Sequence, residues 1–340
     1  MHESAHTAPI GESGMSSSYQ EHVTAHGHAG HTHGRGSIDP PRVREVADGA
    51  YAYIQPDGTW WINNTGFLVG PDGVVAIDAC ATEARTRAFL DTIATYTYTS
   101  APVRTLINTH HHGDHTNGNH LFGAATIVAH EKTRAEILAA GIADVSPVWP
   151  GVEWGDLRPA APFVTYTAGI TVYAGELRAQ VRHFGPAHTS NDSVVWLEEQ
   201  GVLYTGDLIF HGGTPFLLMG SPGGYLDVLA SIRELGATTL VPGHGEVCGP
   251  EQIDVAIGYT TFLLDTARRG REAGLDPLTL ARETDLGEYA ALSDPERIVG
   301  NLHRAYAELG GAERAAPIAV ADALGDMIAY NGGRPLTCHA

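Results

Sequence analysis

The most constraining feature of this 340-residue chain is a cluster of histidines and one aspartate that directly follows an apolar run. Residues 103–108 have the pattern of a β-strand, and Thr-His-His-His-Gly-Asp-His follows at residues 109–115. A strand end is a place where a rigid scaffold can present a functional loop. Imidazole suits zinc and similar first-row metals, and a carboxylate suits a second, more water-accessible ion. Because the directions of successive side chains can alternate along this stretch, His110 and His112 can bind one ion, while Asp114 and His115 bind the neighbouring ion.

Three further candidates lie at the ends of predicted strands later in the chain. They are His188 in Ala-His-Thr, Asp207 in Thr-Gly-Asp and His244 in Pro-Gly-His. Glycine or proline lies close to each of them, which permits tight turns and close approach of the backbone. The chain contains no Gly-x-Ser-x-Gly sequence, so a serine nucleophile of that type has no support.

This ordered set of motifs resembles the metallo-β-lactamase superfamily over roughly residues 40–250. The resemblance implies an α/β fold, an αββα sandwich in which two mixed β-sheets are covered by helices. It also implies two divalent ions, most simply two Zn²⁺. Seven residues match the ligand positions of the family, three for the first ion, three for the second and one for both: His110, His112 and His188; Asp114, His115 and His244; and Asp207.

The resemblance further implies a hydrolytic mechanism. Two metals roughly 3.5–4 Å apart lower the pKa of a bridging water, so that hydroxide forms near neutral pH and attacks a carbonyl. Asp114 would both bind a metal and orient this nucleophile. His211, four residues after Asp207, is the other catalytic candidate, as an acid–base group; a structural loop histidine is the alternative.

Several sequence features indicate which branch of the superfamily the chain resembles. An aspartate at 207 argues against the lactamases with cysteine there and resembles the thioesterase, lactonase and phosphodiesterase branches. The formal net charge of −19 argues against a nucleic-acid partner. An aromatic loop holding Trp60, Trp61 and Asn63 is expected to overhang the metals, with Phe216 as a further substrate contact; ordinary packing is the alternative for the tryptophans.

These additions resemble the cyclase/thioesterases of aromatic polyketide pathways in antibiotic biosynthesis, of the actinorhodin cyclase type. That resemblance implies a polyketide thioester on an acyl carrier protein, closed by an aldol reaction and released by hydrolysis. Arg268, Arg269 and Arg271 are a candidate docking patch, with exposed helix arginines as the alternative. Other functions left open are a lactonase or glyoxalase II-like hydrolase of small molecules, a β-lactamase and a non-catalytic metal-binding module. A homodimer is also left open.

Composition divides the chain into three parts. Residues 1–38 contain seven histidines and few large apolar residues, which predicts a disordered tail. A metal-scavenging arm is one interpretation of this tail, and a polar tail or cloning remnant is the other. Residues 39–252 would form the core, and residues 253–340 a helical extension that packs on it. With no apolar run of membrane length, no leader pattern and only three cysteines, we expect a cytoplasmic enzyme without a membrane partner.

Local patterns predict the elements of this core and extension. The predicted strands cover residues 50–54, 66–69, 74–77, 103–108, 126–129, 170–173, 178–183, 193–197, 202–205 and 239–241. The predicted helices cover residues 81–96, 131–140, 226–235, 253–269, 295–309 and 318–329.

Overall fold

The structure is a computed structural model that describes residues 39–97 and 102–340. The prediction of a disordered histidine-rich tail at residues 1–38 lies outside the described residues.

Within residues 39–97 and 102–340, the first sheet contains seven strands that lie side by side in chain order. Its first four strands form antiparallel pairs, and the fourth to seventh are parallel. The strands are β1 (Arg42–Ala47), β2 (Ala50–Ile54), β3 (Thr65–Gly70), β4 (Gly73–Ile77), β5 (Val103–Ile107), β6 (Thr126–His130) and β7 (Val164–Tyr166).

The second sheet contains five strands: β8 (Gly169–Ala174), β9 (Leu177–His183), β10 (Ser193–Leu197), β11 (Val202–Phe210) and β12 (Thr239–His244). Their order is β12-β11-β10-β9-β8, and only the pair of β11 and β12 is parallel. Both sheets are therefore mixed, as the resemblance implied.

Helices follow or join these strands in both halves. They are α1 (Glu83–Tyr96), α2 (Gly113–Thr116), α3 (Glu131–Ala140), α4 (Pro222–Arg233), α5 (Glu251–Glu272), α6 (Pro277–Glu283), α7 (Arg297–Leu309) and α8 (Val320–Tyr330), with 3-10 helices at Asn119–Phe122 and Gly287–Ala291. Side-chain caps begin several of them: Ser221 accepts from the Gly224 amide at 2.9 Å, and Pro222 occupies the first turn of the same helix.

Successive side chains of a strand point to opposite faces of its sheet, so each strand contributes to the packing on both faces. In β4, Val75 and Ile77 join a buried cluster that also contains Val195 and Leu197 of β10, so these side chains lie between the two sheets. Their neighbours Val74 and Ala76 pack with Phe89 of α1 on the opposite face of the first sheet. A third cluster joins the outer face of the second sheet to α4, α5, α7 and α8. The layer order is helix, sheet, sheet, helix, which confirms the predicted αββα fold.

The C-terminal helices belong to this third cluster. Ile253 of α5, Ile298 of α7 and Met327 of α8 are buried in it together with Leu208 of β11. No helix among the described residues is both long enough and apolar enough to cross a membrane.

Candidate metal site

The first four candidate donors lie between β5 and the start of the 3-10 helix after it. The chain leaves β5 at Ile107, and the one-turn helix α2 begins at Gly113. Asp114 and His115 lie on this helix and are buried. A Cβ atom at position 113 would lie 2.8 Å from Cζ3 of Trp61, so glycine permits close approach of the aromatic loop to the donor-bearing turn.

The other three candidate donors come from the second sheet. His188 lies between β9 and β10, Asp207 lies within β11, and His244 ends β12. Parallel pairing of β11 with β12 brings the last two together, because Gly206 is opposite Pro242. A Cβ atom at Gly243 would lie 2.0 Å from Oδ1 of Asp207, so only glycine leaves room for that carboxylate.

All seven candidate donors converge into two groups that share Asp207. Within each group the donor atoms lie within 4.8 Å of one another, and the groups are His110, His112, His188 and Asp207; and Asp114, His115, Asp207 and His244. Asp207 Oδ2 is 3.3 Å from Nε2 of His188 and 3.3 Å from Nε2 of His244, while its Oδ1 is 3.0 Å from Nε2 of His115. Tetrahedral zinc with bonds of about 2.0–2.1 Å would place its ligands about 3.3 Å apart.

Hydrogen bonds fix the orientation of four of the five histidine rings through Nδ1. The acceptors are Thr109 Oγ1 for His110 (3.0 Å), Asp78 Oδ2 for His115 (2.9 Å), the Phe216 carbonyl for His188 and the Gly58 carbonyl for His244 (3.1 Å). A ring that donates from Nδ1 presents the lone pair of Nε2, which is the atom a metal would bind. His112 differs, since its Nδ1 lies 2.8 Å from Nε2 of His188.

Buried polar atoms without a hydrogen-bond partner provide a test of whether these residues fit metal ions. Among the described residues, Nε2 of His110 and Nε2 of His112 are buried and have no hydrogen-bond partner; Nε2 of His115 and Oδ1 of Asp207 are buried 3.0 Å apart without hydrogen-bond geometry and have no other partner. Buried polar atoms normally have one. Their concentration where imidazole and carboxylate groups converge fits divalent ions that accept nitrogen and oxygen ligands, as zinc does.

The two groups differ in their electrostatics. Burial lowers the pKa values of His110 and His112 well below the usual value, so these rings are neutral. Burial also opposes protonation of His115, but the carboxylates of Asp207 and Asp114 outweigh it and raise the pKa of His115 well above its usual value. His244 is subject to the same two effects. Burial lowers its pKa, but the carboxylates of Asp207 and Asp114, of which Asp207 has the larger effect, raise it to about 9. The metal-free second group therefore holds protons.

Asp78 is a functional residue that the sequence analysis missed. Its buried carboxylate accepts hydrogen bonds from the Thr109 amide and hydroxyl, both at 2.7 Å, and from His115 Nδ1 at 2.9 Å. It thereby fixes the start of the donor loop and one donor ring. The available signal was a charged residue placed directly after the fully apolar end of a strand, β4.

In the structure, Asn63, Trp60 and Phe216 are buried and make internal contacts. Asn63 is fully buried and its amide donates to the Ala79 carbonyl at 2.8 Å. Trp60 is also buried, donates from Nε1 to Glu296 at 2.7 Å and packs edge-on against Phe216, with ring centroids 5.0 Å apart. These contacts are internal ones, and the predicted substrate-binding role of the three residues stays a prediction.

Trp61 and His211 have different environments. Trp61 remains partly exposed beside Gly113, with edge contacts to Trp149 and Trp154 at centroid distances of 5.3 and 4.9 Å. His211 belongs to neither donor group, and its Nδ1 donates to the Glu246 carbonyl at 2.9 Å. It lines a separate cavity of about 190 Å³ with residues such as Asp57, Gly245 and Ser293. The catalytic role of His211 stays a prediction.

Comparison with known proteins agrees with the fold. A family model described as the metallo-beta-lactamase superfamily matches residues 58–244, more than half of the chain. The chain therefore belongs to the metallo-β-lactamase superfamily.

Relatives within this superfamily match only part of their own length. Hydroxyacylglutathione hydrolase of Rhodospirillum rubrum is 33% identical over 178 residues, which cover 52% of this chain and 60% of that protein. The lactamase-like protein nscB of Arthroderma otae is 28% identical over 184 residues, or 53% of this chain and 43% of that protein. A solved metallo-beta-lactamase from Pontibacter korlensis has a TM-score of 0.54 at 20% identity, covering 65% of this chain and 99% of that one. This last likeness concerns the fold alone.

Proposed function

We propose that this protein is a dinuclear metallohydrolase that cleaves a thioester. The observation that carries the proposal is the convergence of seven donors, six of them buried and His112 partly buried, into two groups that share Asp207. Thioester cleavage is favoured because several similar proteins carry the name hydroxyacylglutathione hydrolase, and such a substrate is a thioester. A glyoxalase II-like hydrolase of a small thioester is therefore the first candidate.

The chain's own residues would prepare the site before substrate binds. When bound, the two metals supply Lewis-acid polarisation of the carbonyl and a lowered pKa for water. Asp78, Thr109 and the Gly58 carbonyl hold the imidazoles in orientations that leave Nε2 available. Asp114, whose Oδ2 lies 3.2 Å from Nε2 of His244, would hold one ion and orient the attacking group. Preorganised groups of this kind avoid the cost of rearranging during the reaction.

The aromatic surface beside the donor loop supports a second candidate. Trp61 and Trp154 are partly exposed, and Trp149 contacts Trp61 edge-on. Such a surface suits a planar or apolar acyl group, which keeps a polyketide cyclase/thioesterase acting on a carrier-bound aromatic chain as the alternative. The proposed arginine docking patch has competing partners inside the protein, because Arg268 pairs with Asp265 and Arg271 donates to the Tyr306 carbonyl, each at 2.6 Å.

A substrate panel tests these proposals. Zinc-loaded protein is assayed for thiol release from a hydroxyacyl-glutathione thioester and from an aromatic acyl thioester of a short pantetheine-like thiol, with a chromogenic β-lactam and a lactone in parallel. Preference for the glutathione thioester supports the first candidate, and preference for the aromatic thioester supports the second. Turnover confined to the β-lactam or the lactone contradicts both. If Asp114→Asn protein matches the wild type on every compound, the proposed site is wrong.

A further inference from the structure

The first turn of α7 is joined to the aromatic loop by two adjacent charged residues. Glu296 accepts the hydrogen bond from Trp60 Nε1, and the Arg297 guanidinium lies 4.2 Å from the centroid of the Trp60 ring. Arg297 is 1% exposed and Trp60 is 7% exposed, so this contact excludes water. A cation over an indole ring is attractive, and the attraction increases when both groups are desolvated.

Arg297 is held in place by further partners. Its Nη1 donates to the Thr214 carbonyl at 2.9 Å, and its Nη2 lies 2.7 Å from Asp294 Oδ2. A buried cation needs such compensation, because removing it from water costs several kcal/mol unless a counter-charge and acceptors are present. The fixed guanidinium plane is therefore a rigid part of the C-terminal helical layer.

The same guanidinium reaches a candidate metal donor through one aromatic ring. Arg297 lies 5.1 Å from the centroid of Phe210 on the end of β11. Phe210 stacks on the ring of His244, with centroids 5.1 Å apart and planes at 9°. The two residues are also register partners in the parallel pair of β11 and β12. The order of contact is Arg297, Phe210, His244.

We propose that Arg297 is a positioning residue, which acts through Phe210 to fix the ring plane of the metal ligand His244. The Gly58 carbonyl fixes His244 from Nδ1 by a single hydrogen bond, about which the ring can still tilt. Stacking on Phe210 removes that freedom, and the Arg297 guanidinium, which also contacts the Phe210 ring, holds Phe210 in place. The inference rests on the proposed metal site, and it makes the C-terminal helices part of the catalytic unit.

Arg304 offers a matched control on the same helix. It is also 1% exposed, and its Nε donates to the Leu218 carbonyl at 2.8 Å. Within the part of the chain that the structure describes, Arg304 makes no hydrogen bond, ion pair or ring contact with Phe210, Trp60 or a donor residue, so Arg304→Met removes an equally buried guanidinium away from the site. Arg297→Met and Phe210→Leu are the test variants. Arg297→Lys tests the planar group, because lysine keeps the charge and loses the stacking plane.

Metal affinity is measured on the full chain by competition with a chelator, together with the visible spectrum of the cobalt-substituted protein. His244 belongs to one donor group only. We therefore expect Arg297→Met and Phe210→Leu to weaken one of the two site equivalents by at least about tenfold and to change the cobalt spectrum. Arg304→Met should stay within about threefold of the wild type, and Arg297→Lys should resemble Arg297→Met.

The outcomes separate this inference from the proposed function. Wild-type affinity and an unchanged spectrum in Phe210→Leu overturn the positioning role, and this variant decides the question if Arg297→Met does not fold. Equal weakening in Arg304→Met and Arg297→Met also overturns it, because the effect would then follow from loss of any buried arginine. A wild-type protein that binds no metal at the site refutes the metal site itself and this inference with it.

Discussion

Asp78 Oδ2 lies 2.9 Å from His115 Nδ1, and the same carboxylate accepts two hydrogen bonds from Thr109. Asp78 follows β4 and Thr109 follows β5, and these strands are parallel neighbours in the first sheet. Parallel neighbours end at the same edge of a sheet, so one carboxylate connects the backbone of the donor loop with a donor ring. Asp78 also has a positive φ of 61°, which an aspartate tolerates better than most residues.

Asp78→Asn should weaken metal binding by about 10- to 100-fold, because the ring of His115 loses a charged partner and the basicity that it confers. Asp192→Asn is the matched control. Asp192 is also buried and accepts from the amide and hydroxyl of Thr189, both at 2.7 Å, but it bonds no candidate donor ring. Chelator competition on both variants gives the comparison, and equal losses would contradict the specific role of Asp78.

The protein should bind close to two divalent metals per chain at the site, because two complete donor groups share one carboxylate. Elemental analysis after zinc loading measures this ratio. The seven histidines in residues 1–38 can bind additional ions, so the measurement is made on the full chain and on a form that lacks residues 1–36. We expect the shortened form to keep its fold and its two ions. A ratio well below one in that form would exclude the site.

Asp114→Asn should reduce turnover by at least about 100-fold while leaving the fold intact. The amide loses both the charge that holds a metal and the basicity that orients the nucleophile. Asp114 lies on the one-turn helix α2, and its ion-pair partners are the donor rings of His115 and His244, so the far-ultraviolet circular dichroism should match the wild type. More than about a third of wild-type turnover in this variant would indicate that the metals serve structure or binding alone.

Metal uptake by the metal-free protein should release protons at pH 7.5. Carboxylate neighbours raise the pKa of His244 to about 9 and that of His115 well above its usual value, so at pH 7.5 both rings hold a proton that a metal must displace. His110 and His112 contribute none, since burial lowers their pKa values. Affinity should accordingly increase with pH up to about 9. Calorimetric titration in two buffers of different ionisation enthalpy counts the protons, and a count near zero would contradict the expected protonation.

Sequence patterns predicted the buried strands well because burial on both faces leaves near-continuous apolar runs. β1 was missed because Arg42, Arg44 and Glu45 make this edge strand polar and exposed. β11 was predicted to end at 205, since Gly206 resembles a turn residue. It continues to Phe210 because pairing with β12 resumes beyond an irregularity in register.

The metal-donor residues could be predicted from the sequence, but the groups that orient their side chains could not. A family motif identifies side chains by type and spacing, so His110 to His244 could be named from the sequence. The acceptors that orient the rings include the carbonyls of Gly58 and Phe216, and a backbone carbonyl leaves no mark on residue type. Glu296 and Arg297 are far from the motifs along the chain, and charged residues at a helix start normally indicate a solvated surface.

The division of the donors between the two sheets determines when each donor group is complete during synthesis of the chain. The first donor group is incomplete until Asp207 has been made, and the second until His244 has been made. Arg297, which contacts Phe210 behind His244, emerges from the ribosome later still. Although N-terminal parts of a chain can fold first, a nascent chain cut short before α7 would carry all seven donors and lack the helix whose Arg297 contacts Phe210. We expect metal loading to be completed only after α7 has been synthesised and has packed on the second sheet.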